Sequence, residues 1–195
     1  MELLLSRGAD VNTRIRGATP LHYAVQEGHT DVVRLLLENS EIDIDAAGGF
    51  YGTSLQHAAF RNYIDIARLL LAGGANVNLN RRDDAGALRG VPMAIAASRG
   101  NLSMMSLLKK HNADVSGTVG VGKDWLTENT RDCEWRSPLM MAASEAKLEA
   151  MCWLLQSGAD LRQKVRISMF LAVVFRNNFN ILAWIYRLGP KTLNC

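Results

Sequence analysis

The side chains best equipped for chemistry are four histidines, His22, His29, His57 and His111, and three cysteines, Cys133, Cys152 and Cys195. Their spacing fits neither a His-Glu-x-x-His zinc helix nor a paired Cys/His zinc pattern, so no metal site is expected. Cys152 stands between Met151 and Trp153 in an apolar stretch and is expected to be buried and inert. Cys133, beside Asp132, Glu134 and Arg136, is expected to be exposed, with no histidine near it in sequence to act as a base. Gly120, Gly122 and Lys123 suggest a phosphate loop, but that pattern requires Ser or Thr after the lysine and here Asp124 follows. No Gly-x-Ser-x-Gly, dinucleotide-fold or kinase motif is present. The residues therefore offer no catalytic constellation, and neither an enzyme nor a cofactor is expected.

What remains is recognition, and the bulk composition limits its kind. A net charge of +3 implies neither nucleic acid nor an anionic membrane as partner. Hydrophobic content of 48% with 21% charged residues belongs to a folded globular chain. The cysteines lack disulfide-like spacing and fit a reducing compartment. The opening Met1-Glu-Leu-Leu-Leu-Ser6 is too short for a secretory leader, and the longest apolar run, 167–175, is too short to span a bilayer. A soluble intracellular protein is expected, cytoplasmic or nuclear.

The elements that would position a recognition surface recur along the chain. In Gly17 to Leu37, Thr19 can cap a helix that Pro20 begins. Leu21 and Ala24 share one face of it, and Gly28 ends it in left-handed geometry. Val32, Val33, Leu35, Leu36 and Leu37 make the apolar face of a second helix, interrupted by Arg34. One such pair cannot bury its own apolar face and must stack on copies of itself. The copies begin at Thr53, Val91, Ser137 and, most degraded, Ile167. Thr19 to Leu37, Thr53 to Leu71, Val91 to Lys109, Ser137 to Leu155 and Ile167 to Ile185 are each separated by 18 residues. Between the recurring alanines Ala24, Ala58, Ala96, Ala142 and Ala172 the interval varies, at 34, 38, 46 and 30. All variation thus falls in one connecting segment, as in a stack with fixed helical layers and one face open to insertion.

These motifs resemble the ankyrin-repeat family. Thr19-Pro-Leu-His-Tyr-Ala24 matches its opening and Gly8-Ala-Asp-Val-Asn12 its ending, with Gly74-Ala-Asn-Val-Asn78, Asn112-Ala-Asp-Val115 and Gly158-Ala-Asp160 as close variants. The resemblance implies an all-α solenoid of stacked helix-turn-helix units with β-hairpin fingers. Over 1–195 it divides into a half repeat at 1–16, repeats at about 17–50, 51–88, 89–134 and 135–164, and a degenerate terminal repeat at 165–195. The longest finger, 116–136, carries Trp125 and Trp135 and draws the most suspicion of function. The start resembles a second helix without its first. It raises the expectation of an uncapped, self-associating flank or of a specificity or sensor segment from a larger multidomain protein.

By the same resemblance, partners dock on the finger tips and on the first-helix, concave side. Carried over by position, the strip after each recurring alanine holds Gln26, Glu27, Phe60, Arg61, Ser98, Arg99, Ser144, Glu145, Val174 and Phe175. The finger positions hold Arg16, Tyr51, Arg89, Arg136 and Arg166, with Trp125 on the long insertion. Recurring arginines with Tyr51 and Phe60 as apolar anchors suit an acidic peptide or protein face. The expected function is a non-catalytic protein-interaction module. An enzyme with a pocket built from the 116–136 finger and the aromatic C-terminal end is the contrasting reading.

Overall fold

A computed structural model describes residues 7–48, 52–79, 91–116 and 137–159. They form four helix pairs: α1 Pro20–Gln26 with α2 Thr30–Leu37, α3 Ser54–Arg61 with α4 Ile64–Ala72, α5 Pro92–Arg99 with α6 Leu102–Lys110, and α7 Pro138–Ser144 with α8 Leu148–Gln156. The first helices pack successively on one another (α1 on α3, α3 on α5, α5 on α7), and the second helices do the same. The result is two parallel rows, all-α apart from two isolated β-bridges among the described residues.

Local sequence explains each unit. Pro20, Pro92 and Pro138 occupy first-turn positions, where a missing N–H costs no helical bond. Each first helix stops where the backbone turns left-handed, at Gly28 (φ 72°), Asn62 (φ 60°), Gly100 (φ 72°) and Ala146 (φ 54°). The next amide then reaches back to the recurring alanine: His29 to Ala24, Tyr63 to Ala58, Asn101 to Ala96 and Lys147 to Ala142, at 2.8–3.0 Å. This double turn satisfies carbonyls at the helix end and sends the chain directly into the second helix. Glycine and asparagine adopt that geometry readily; Ala146 adopts it against the clash of its own Cβ.

The core lies between the rows. Leu21, Leu36, Leu55, Leu70, Met104, Leu108, Met151 and Leu154 are fully buried. Each large apolar side chain removed from water contributes about 1.5–3 kcal/mol before the entropy of ordering is subtracted. Ala94, Ala96 and Ala97 of α5 are also buried and bring the first helices close. Residues 1–6 and the terminal repeat expected at 165–195 lie outside the described residues.

Candidate partner-binding surface

The first two fingers are tied to the first-helix row, one through Tyr23 to Ile15 and the other through His22 to Gly52. In the first finger, Ile15 and Ala18 exchange two backbone bonds (2.9 and 3.1 Å) around Arg16 (φ 50°) and Gly17 (φ 80°). Two successive positive φ angles make the tight reverse turn that matches strand twist. The second finger returns through a Gly48–Gly52 bridge. The two fingers touch through backbone: a Cβ on Gly48 would collide with the Gly17 carbonyl. Arg14 reinforces the contact by donating to the carbonyls of both Gly17 and Ala47.

His22 fastens finger to helix. Its Nε2 lies 2.9 Å from the Gly52 carbonyl, which can only accept, so Nε2 carries the proton. Nδ1 is then the acceptor for the Thr19 amide at 3.2 Å and pairs with the Thr19 hydroxyl at 2.8 Å. In the second pair Gln56 does this capping work, accepting from the Thr53 amide at 2.7 Å, while His57 lies one place further along and is buried. Burial, helped by the positive charge of Arg61 and by His22, lowers the His57 pKa to about 4. Both imidazoles are structural groups of the face.

The strip itself lies at the ends of the first helices. Gln26 and Glu27 are exposed and joined by a 3.1 Å hydrogen bond. Arg61 and Arg99 are exposed at equivalent positions of α3 and α5, and Glu145 is exposed at that position after α7. Phe60 is half-buried against the core, and the Arg99 guanidinium lies over its ring, 4.6 Å from the centroid. Phe60 thus serves as the bed on which Arg99 rests rather than as a bare apolar anchor. Stacking engages the guanidinium face and not its in-plane N–H donors. Ser98 is half-buried and donates its hydroxyl to Ile95 at 2.8 Å, and Ser144 donates to Met141 at 3.0 Å. Arg16 is exposed at the first finger tip. Tyr51, Arg89, Trp125, Arg136 and Arg166 lie outside the described residues.

Two exposed apolar residues of this face escaped the sequence reading. Ile15 is 62% exposed on the finger and Tyr23 is 39% exposed on α1, tied together by the Tyr23 hydroxyl donating to the Ile15 carbonyl at 3.1 Å. The signal was present: Tyr23 fills the variable position of the opening motif, between His22 and Ala24. On the opposite face, Lys109 of α6 sits over Trp153 of α8 at 5.5 Å. Cys152 is half-buried, where sequence suggested burial, because its place on α8 corresponds to the exposed Arg34 and Arg68 of α2 and α4. Desolvation raises its pKa and keeps the thiol protonated. Among the described residues no three His, Cys, Asp or Glu side chains are grouped to hold a metal ion, and no helix is long and apolar enough to cross a membrane.

Comparison with known proteins agrees with this architecture. The family model for ankyrin repeats (3 copies) matches residues 1–83 and 81–165. Mouse B-cell lymphoma 3 protein homolog is 32% identical over 148 residues, covering 75% of this chain and 29% of its own length. Human ankyrin repeat and SOCS box protein 16 is 31% identical over 160 residues, covering 82% of this chain and 33% of its own. Ankyrin repeat protein nuc-2 of Neurospora crassa is 28% identical over 183 residues, covering 82% of this chain and 17% of its own. The chain spans well under two thirds of the length of these relatives. With the family model matched across most of its length and the paired helices, capped turns and finger bridges in place, the chain belongs to the ankyrin-repeat family.

Proposed function

We propose that this chain is a non-catalytic interaction module that binds a protein or peptide on the face made by its finger tips and the ends of its first helices. Ankyrin repeats generally serve as protein–protein interaction modules. The observation that carries the reading here is the row of exposed charged residues at equivalent positions, Glu27, Arg61, Arg99 and Glu145, with Arg99 laid on Phe60. Arginine with a planar, pre-stacked guanidinium loses little further freedom when it meets a carboxylate, and arginine and tyrosine are favoured at binding hot spots. Ile15 and Tyr23 add apolar contact at the first-finger end of the same face.

The test is affinity capture from native lysate with wild type and an Arg61→Glu/Arg99→Glu variant, after circular dichroism shows that both are folded. The expected result is a partner retained by wild type and bound at least tenfold more weakly by the variant. A partner held equally by both would place the binding site elsewhere and sink this assignment.

A further inference from the structure

We infer that the partner-binding strip reads charge order, and that it fits an extended peptide whose two central acidic residues, three apart, are each followed three residues further out by a cation. This rests on the interaction reading above and deepens it. At the ends of α1, α3, α5 and α7, four side chains occupy the same register position in consecutive layers: Glu27, Arg61, Arg99 and Glu145. The signs run negative, positive, positive, negative. The strip therefore has no net charge over these layers, and a uniformly acidic ligand would gain at the middle and be repelled at both ends.

Geometry converts that order into a peptide spacing. Neighbouring first helices pack directly on each other, and packed helix axes lie about 8–10 Å apart. An extended chain advances about 3.3 Å per residue, so one layer corresponds to roughly three residues. The Phe60–Arg99 stack shows that the Arg99 side chain reaches the end of the neighbouring first helix, beside Arg61. The complementary ligand then reads cation-x-x-acid-x-x-acid-x-x-cation. The pattern is the same in both chain directions, so charge fixes the ligand's register and leaves its polarity to other contacts.

Two synthetic peptides of identical composition test this, Lys-x-x-Glu-x-x-Glu-x-x-Lys and Glu-x-x-Lys-x-x-Lys-x-x-Glu, with the same neutral spacers, titrated to millimolar concentration by fluorescence anisotropy at low salt. The first is expected to bind at least tenfold more tightly, with the advantage shrinking as salt rises. A Glu27→Lys/Glu145→Lys variant, checked by circular dichroism, should instead prefer a peptide with glutamate at all four positions. Equal affinity for the two orders, failure of both to bind, or no change of preference in the variant would overturn the charge-order inference. A captured protein partner still lost on Arg61→Glu/Arg99→Glu would, in any of those cases, leave the interaction reading standing; a partner retained by that variant would remove both.

Discussion

Between residues 7 and 79 the layers are fastened by side chains that satisfy named backbone groups of their neighbours. His22 joins α1 to Gly52, Arg14 joins the first finger to the second, and Thr53 and Gln56 cap α3 reciprocally. Asn12 donates to the Glu41 carbonyl at 2.7 Å and accepts from the Asp43 amide at 2.8 Å. Between residues 91 and 159 the same capping positions carry Val91 with Ala94 and Ser137 with Met140, and only the Ser137 hydroxyl accepts, from Met140 at 3.3 Å. The buried space there is filled by Met93, Met104, Met105, Met140 and Met151, whereas residues 7–79 contain no methionine. Directional bonds specify one register, because each one lost leaves a buried polar group unpaired. Methionine packs adaptably and specifies less. The centre of the binding strip lies where the two regions meet, since Phe60 belongs to the first and Arg99 to the second.

The sharpest way to break the contrast is to remove one anchor from each side. His22→Leu should cost about 2–3 kcal/mol, because the Gly52 carbonyl and Thr19 amide lose their partner within the fold. Met105→Leu, in a fully buried site, should stay within about 1 kcal/mol of wild type. Urea unfolding of both variants measures the difference, and equal losses would erase the distinction.

Acid should act on the first region. His57 has a folded pKa of about 4 against 6.5 in the unfolded chain, so the unfolded state takes up its proton first. Its contribution is fully present above pH 6.5, is lost as pH falls toward 4, and amounts to about 3 kcal/mol when the loss is complete. His57→Leu should flatten the stability profile across that window. An unchanged slope would assign the acid sensitivity to other groups.

Two smaller changes should strengthen the stack. Ala146→Gly relieves the left-handed alanine at the end of α7 and should gain about 1 kcal/mol. Asp45 takes the place that Asn12 and Asn78 hold in their layers. Asn78 repeats the two-bond clamp on Asn112 and Asp114, whereas the Asp45 carboxylate accepts from the Asn76 amide and has no N–H to donate. Asp45→Asn should therefore add a bond to the Gly74 carbonyl and about 0.5–1 kcal/mol. Thermal unfolding would detect each gain; a neutral Asp45→Asn would show that the carboxylate already compensates.

The parts of this fold legible in the sequence are those written in local chemistry. Thr19 before Pro20, and Gly28, Asn62 and Gly100 after the first helices, announce their elements within a few residues, and the recurring alanines mark the backbone bonds that close each turn. The parts that were not legible depend on contacts between layers. Arg99 resting on Phe60 joins residues that no local pattern pairs, and the exposure of Ile15 and Tyr23 follows from what packs beside them. Asp45 was hidden because 37–45 lacks the Gly-Ala-Asp-Val-Asn ending, and only its bond to Asn76 shows which position it fills. The signs of the strip, negative at both ends and positive at its centre, are readable residue by residue, but their significance appears once α1, α3, α5 and α7 are seen in one row.

The most direct test of the binding account is amide hydrogen exchange on the protein with and without a captured partner. New protection is predicted at the ends of α1, α3 and α5 and in the first finger, around residues 15–18, 24–28, 58–62 and 96–100. Protection confined to the second-helix row, α2, α4, α6 and α8, would contradict it.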